Sequence, residues 1–319
     1  NLKANETNGP LIIEKGEGVF VYDENGKEYL EGMSGLWCVS LGFSEKRLIE
    51  AAGRQMNILP YYHSFTGKVP SVTLELSERL IEMAPHPMSK VLYANSGSES
   101  NDTAVKVAWY YQNALERPSK KKIISRFRGY HGVTITTGSL TGMDYAHKGF
   151  DLPSPMVLHT EAPHFFREAK VEETEEEFCV RLADSLEHLI LKEDPDTIAA
   201  MIAEPIQGAG GVIIPPKQYF QTIQPILRKY QILLIADEVI CGFGRTGKMF
   251  GSMHFGIEPD MMVVAKQISS GYQPISGLMI SGAVYQVIRE QSNRFGMFGH
   301  GYTYSGHPVP AAVALETLK

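Results

Sequence analysis

The sequence predicts an α/β fold built on a largely parallel sheet. Two observations predict it. From residue 90 onward, short apolar runs alternate with helical stretches, the texture of strands buried on both faces and joined by crossover helices. The composition is that of a folded globule, 43% hydrophobic and 21% charged over 319 residues, which at roughly 100–200 residues per domain allows one large or two modest domains.

Before residue 90 the elements differ. Residues 18–33 read as a hairpin, with Val19-Phe-Val-Tyr22 and Lys27-Glu-Tyr-Leu30 flanking a turn on Asn25-Gly26. Ser44 has the chemistry of an N-cap, and Leu48, Ala52, Met56 and Leu59 line one helical face after it. Val72, Leu76, Leu80 and Met83 repeat the pattern. The buried strands are then expected at 90–95, 122–125, 156–159, 198–202, 232–236, 261–264 and 277–280. Helices are expected at 98–115, 174–192, 217–230 and 307–319. The acidic run 172–177 suits the positive end of a helix dipole and reads as a solvated first turn. The helix at 307–319 meets no stop signal, so the chain is expected to be a fragment of a longer protein. It also lacks an initiator Met.

Charge and cysteine usage exclude several classes. Thirty basic against thirty-six acidic residues give −6, no footprint for nucleic acid. Cys38, Cys179 and Cys241 are too few and scattered for a disulfide framework or zinc site, which favours a reducing, cytoplasmic setting. No metal is expected. No apolar stretch reaches the roughly 18–20 residues that span a bilayer, and the start has no signal-peptide core. Two sequon matches, at Asn5 and Asn101, are read as chance.

In open α/β sheets ligands bind beyond the C-terminal strand ends, so the residues after each apolar run carry the functional argument. Asn95-Ser-Gly-Ser-Glu-Ser100 follows the first. Ser96 and Glu99 have capping-box spacing, and Gly97 and Ser98 make the helix start a candidate anion site, although an ordinary capped helix reads the same way. Arg128-Gly-Tyr-His-Gly132 follows the second, where Tyr130 could lie flat on a planar ligand and His131 could equally be a packed histidine. Glu204 ends the 198–202 run and leads into a glycine-rich loop through Gly211. Asp237 ends the next, a carboxylate that needs a donor if buried. Lys266 follows the 261–264 run directly; burial lowers an amine's pKa, as a Schiff-base nucleophile requires, though a snorkelling lysine is the alternative. Gly242-Phe-Gly-Arg-Thr-Gly247 also matches G-x-G-x-x-G with Asp260 downstream, but no helical period follows it, as a dinucleotide turn requires.

The combination is stronger than its parts. An anion cradle, a flat aromatic, a carboxylate and a lysine at successive strand ends are the components of a pyridoxal 5'-phosphate site. With Ser34-Gly-Leu-Trp-Cys38, Gly129-Tyr-His-Gly132, Glu204-Pro-Ile-Gln-Gly208, Ala236-Asp-Glu-Val-Ile-Cys-Gly-Phe-Gly-Arg-Thr-Gly247, Ala265-Lys266, Ser269-Ser-Gly-Tyr272 and Gly301-Tyr-Thr-Tyr-Ser-Gly-His-Pro308, the chain resembles the class III (ω-amino acid or amine:pyruvate) aminotransferases of fold type I. The resemblance runs from residue 10 to the end. It implies a large domain with a mostly parallel sheet and a smaller α+β domain. Residues 1–65 would belong to the small domain and the active-site wall and 66–319 to the large cofactor-binding domain, with the C-terminal part of the small domain absent.

The same resemblance implies that Ser96, Gly97 and Ser98 serve the phosphate and Tyr130 stacks on the ring beside His131 and Glu204. Asp237 would pair with the ring nitrogen, Val239 pack on the other face, and Lys266 be the Schiff-base lysine. Lys266, Asp237 and Tyr130 form the implied catalytic set. Thr303 would reach the cofactor of a neighbouring subunit in a homodimer, and Trp37, Phe65 and Ala209 would line the substrate pocket. Gln267 stands where relatives carry Gly, and Ile275-Ser-Gly277 where they favour Gly-Ala. The arginine that grips the substrate carboxylate in this family has no assignable position. The implied reaction is transfer of an amino group from an amine or ω-amino acid to a keto acid, pyruvate being the expected acceptor. An aminomutase, a decarboxylating relative or an inactive pyridoxal-phosphate-binding protein are the alternatives.

Overall fold

The computed structural model describes residues 2–319. Strands β1 (Ile13–Glu17), β2 (Phe20–Asp23) and β3 (Glu28–Leu30) form a small antiparallel sheet in that order. Gly26 turns the β2–β3 hairpin with φ 76°, and Asp23 closes it by accepting from the Asn25 and Lys27 N–H groups. Helices follow at Lys46–Ile58 and Ser71–Met83. Ser44 is not the cap of the first. Its hydroxyl donates to the Gly16 carbonyl, tying the small sheet down, and Glu45 takes the cap by accepting from the Arg47 N–H.

Seven strands make the main sheet: β4 (Met88–Ala94), β5 (Lys122–Arg126), β6 (Val157–Thr160), β7 (Ile198–Ala203), β8 (Leu233–Asp237), β9 (Met261–Val264) and β10 (Ser276–Ser281). Their order is β4-β10-β9-β8-β7-β5-β6. The pairs β9–β8, β8–β7, β7–β5 and β5–β6 are parallel, and β10 runs antiparallel to both its neighbours.

Each central strand feeds two cores because alternate side chains point to opposite faces. Leu234 and Ala236 pack with Phe178, Leu182 and Leu186 of helix Glu175–Lys192 and Phe220 and Ile223 of helix Tyr219–Lys229. Leu233 and Ile235 pack on the other side with Ala104, Val107 and Ala108 of helix Gly97–Ala114. The acidic run opens its helix as a capping box, Thr174 with Glu177, while Glu173 pairs with Arg181 at 2.7 Å. A helix over Gly282–Phe295, capped by Ser281, is an addition to the expected elements, although Val284, Val287 and Ile288 recur at helical spacing; Val284 is its one fully buried residue. Among the described residues, no helix is long and apolar enough to cross a membrane.

The parallel register matters for function. Ala203 lies beside Ala236, and Asp237 beside Val263. Residues 204, 237 and 265–266 therefore leave the sheet at one edge.

Candidate active site

That edge opens into a cavity of about 360 Å³, within the range of small-molecule sites. Lys266, Asp237, Tyr130, His131, Glu204, Gly97, Ser98, Val239, Trp37 and Ala209, all singled out in the sequence, line it. Leu36, Asn101, Gly132, Tyr145 and Ile240 complete the wall.

The start of helix Gly97–Ala114 forms one end. Ser96 lies behind it as the cap, its hydroxyl accepting from the Glu99 N–H at 3.2 Å. The expected reciprocal bond runs one residue back: the Glu99 carboxylate accepts from the Asn95 N–H at 2.7 Å. The loop after β5 packs on this helix start. A Cβ added at Gly132 would lie 2.4 Å from Ser98 Oγ, so only glycine allows the approach. Glu204 holds the same loop from the other side. Its two oxygens accept from the Tyr130 N–H at 3.0 Å and the Gly208 N–H at 2.9 Å. Burial pushes its carboxyl pKa up.

Asp237 is 2% exposed and has no Lys or Arg ion-pair partner among the described residues. Its Oδ2 accepts from His131 Nδ1 at 2.7 Å and Asn101 Nδ2 at 2.9 Å; its Oδ1 accepts from the Val239 N–H at 3.1 Å. An ionised carboxylate offers about four acceptor sites, so Oδ1 has room for one more donor. A buried carboxylate paired only with a histidine suits a cationic ring N–H. The donor set therefore fits a pyridinium, with the helix start available for a phosphate.

Lys266 enters from the end of β9 with φ 54°. Burial lowers its pKa, against the smaller opposing pull of Cys38, Asp237 and Glu204. Its Nζ sits 5.4 Å from the centre of the Trp37 ring. Trp37 is held there by a left-handed turn invisible in the sequence: Ser34, Gly35, Leu36 and Trp37 have φ 54°, 55°, 64° and 60°. Such a conformation costs L-residues roughly 1–2 kcal/mol each. The Glu31 carboxylate braces it by accepting from the Met33 and Gly35 N–H groups. The Ser269-Ser-Gly-Tyr272 stretch braces it from beyond: Ser270 Oγ accepts from the Leu41 N–H, and Tyr272 bridges the Glu45 N–H and Gly42 carbonyl. Gln267 is buried and donates to the Ile240 carbonyl at 3.1 Å.

Two expected residues lie outside this cavity. Phe65 lines a separate depression with His300 and Gly301. Thr303 is exposed, its carbonyl accepting from the Tyr61 hydroxyl at 2.7 Å. The G-x-G-x-x-G match forms turns from which no helix starts, and Asp260 accepts from the Leu234 N–H at 2.8 Å instead of facing a ligand. No group of residues suited to a metal ion occurs among those described.

Behind Asp237, Glu238 is fully buried and accepts from the Gly251 and Ser252 N–H groups at 2.9 and 2.7 Å. Burial raises its pKa to about 7, and the nearby Asp237 charge adds to the rise. The folded state then holds this proton where the unfolded state, with an ordinary carboxyl pKa, has lost it. The associated stability is fully present below the unfolded pKa and is lost as pH rises through the folded pKa. Glu238→Gln removes this proton uptake. The stability difference between wild type and variant is therefore expected to move against wild type between about pH 4.5 and 7. Thermal melts across that window check it; a constant difference would contradict the assignment.

The profile of the class-III aminotransferases matches residues 2–319. The chain belongs to that family. Among its relatives, this class-III chain is 57% identical over 311 residues to a "Gamma aminobutyrate transaminase 3, chloroplastic" of Solanum lycopersicum, covering 97% of this chain and 60% of that protein. It is also 57% identical to a "Vanillin aminotransferase" of Capsicum chinense, covering 97% and 68%. Its structure superposes on the omega transaminase of Pseudomonas jessenii in complex with PMP with a TM-score of 0.98 and 58% identity, covering 100% of this chain and 70% of that one. The seven-stranded sheet is thus that of the fold type I transaminases. Class-III aminotransferases work with pyridoxal 5'-phosphate.

Proposed function

We propose that the protein carrying this chain is a pyridoxal-phosphate-dependent aminotransferase that moves an amino group from an amine or ω-amino acid to a keto acid, pyruvate being the acceptor. One observation carries the reading: Lys266 and Asp237, leaving adjacent strands β9 and β8, face a single cavity whose far end is a helix N-terminus.

When bound, pyridoxal phosphate supplies an aldehyde that takes up the amino group and a pyridine ring that accepts the electron pair left at the donor carbon. The chain's residues do the rest. Gly97 and Ser98 at the helix start hold the phosphate, with Ser96 fixing that start. Tyr130 and Val239 would pack against the ring, while Glu204 holds the Tyr130 loop and His131 holds Asp237. Asp237 keeps the ring nitrogen protonated. Lys266 Nζ would hold the cofactor's aldehyde at rest and, when free, would be the base and acid that moves a proton at the donor carbon. Burial favours its neutral form, as a general base requires. Trp37 and Ala209 border the space where the donor enters.

Further readings rest on this one. Residues 1–65 contribute to a small domain and 66–319 to a large cofactor domain. The exposed Thr303 and Phe65 suit a homodimer in which Thr303 reaches the neighbouring cofactor. Three unpaired cysteines suit a reducing setting; we read it as the cytoplasm, while the tomato relative's name is chloroplastic. An amine panel with pyruvate tests the reaction: alanine is expected to form in step with carbonyl product. Amine turnover without alanine or any other amino-acid product would reject transamination.

A further inference from the structure

Asn101 has no part in the reading above, yet it is the polar side chain that joins the two ends of the cavity. It stands one turn into helix Gly97–Ala114, four residues after Gly97, and is 1% exposed. Both protons of its amide are spent. One goes to the His131 carbonyl at 2.8 Å and the other to Asp237 Oδ2 at 2.9 Å. Its own oxygen is buried with no protein partner. An apolar side chain of the same shape would escape that desolvation cost. The polar residue is therefore explained by what it donates, and the acceptor that matters is Asp237.

We propose that Asn101 is a positioning residue: with His131 it saturates Asp237 Oδ2 and so turns Oδ1, which carries only the Val239 N–H, toward the ring nitrogen. Two donors on Oδ2 fill its acceptor sites, while Oδ1 keeps one open. Because Asn101 grows from the helix whose first turn would hold the phosphate, the same rigid element sets the spacing from phosphate to ring-nitrogen carboxylate. His131 reaches Asp237 from the loop after β5. Asn101 fixes that loop too, through the His131 carbonyl. Loss of Asn101 would loosen both arms of the clamp at once.

The inference rests on the pyridoxal phosphate reading, and the test separates the two. Wild-type holoenzyme, Asn101→Leu and Asn101→Asp are loaded with cofactor labelled with nitrogen-15 in its ring. Leu keeps the volume without donors; Asp keeps the shape but adds an acceptor. Wild type is expected to show the chemical shift of a protonated ring nitrogen. Asn101→Leu should shift toward the unprotonated value, whereas the charge added by Asn101→Asp favours the protonated ring, and that variant's loss should be read in the rate. The single-turnover rate with an amine should fall about tenfold or more, the size typical of a lost supporting hydrogen bond, while KM for the amine changes less than about twofold, since Asn101 does not border the donor's entry. A crystal structure of loaded wild type gives a measurement independent of variant folding: Oδ1 should face the ring nitrogen, with Oδ2 still on Asn101 and His131. Oδ2 facing the ring, or variants with the wild-type nitrogen shift and rate, would overturn the role of Asn101. A wild-type protein that takes up no cofactor would instead overturn the reading beneath it.

Discussion

Lys266→Ala is expected to abolish transamination while leaving the fold intact. Among the described residues Lys266 is the one lysine on the cavity wall, and so the amine placed to hold the aldehyde and carry the proton. Alanine removes Nζ without adding volume. It inherits the same left-handed backbone, φ 54°, at a strain no greater than lysine's. The loss should therefore be chemical. Turnover is expected to fall by at least about 10³-fold, the order that general acid–base and covalent catalysis together supply. Borohydride treatment of the loaded wild type should label the peptide containing Lys266; the variant should show no label there. The helix-end cradle and Asp237 do not depend on the lysine, so reversible cofactor uptake should survive. Turnover within about tenfold of wild type, or a label on another lysine, would remove Lys266 from the mechanism and the proposed function with it.

The site was legible to the extent that chemistry conflicts with burial. A lysine or carboxylate directly after a fully apolar run is costly to bury, and Lys266, Asp237 and Glu204 stand out together for that reason. The strands themselves were legible because β7, β8 and β9 are buried on both faces. What escaped was held by tertiary contacts. The turn at Ser34–Trp37 is left-handed because Glu31 accepts from its N–H groups, an arrangement no local preference encodes. Ser44 carries the residue type of a cap but spends its hydroxyl on Gly16, 28 residues earlier. Asn101 could have been suspected from its spacing of four from Gly97, which puts both on one helix face. That spacing alone carries little weight, because an asparagine in a first helical turn or two is common for other reasons. Phe65 was expected on the substrate pocket and lies outside this cavity, while Thr303, expected to reach a neighbouring subunit's cofactor, is exposed.

Asp237→Asn tests the electronic half of the mechanism with almost no change of shape. Two donors, His131 Nδ1 and Asn101 Nδ2, converge on Oδ2. An asparagine at 237 must therefore place its carbonyl oxygen there and its NH2 group at the Oδ1 position. That group then faces the Val239 N–H and the ring nitrogen, donor against donor, where the carboxylate had accepted from one and offered a site to the other. The formal charge that keeps the ring nitrogen protonated is lost as well. Both effects act on the step in which the donor carbon gives up its proton, because only then does the ring take up negative charge. The phosphate end is held by another element, so cofactor uptake should persist. The single-turnover rate with an amine is expected to fall by about 10²-fold or more, comparable to deleting one preorganised electrostatic contact at a reacting centre, with a smaller change in amine affinity. A rate within about threefold of wild type would show that the ring nitrogen's proton is not held by Asp237. The order of the losses is informative: because Asn101 acts only through this carboxylate, its substitution should cost less than that of Asp237, and adding Asn101→Leu to Asp237→Asn should cost little further.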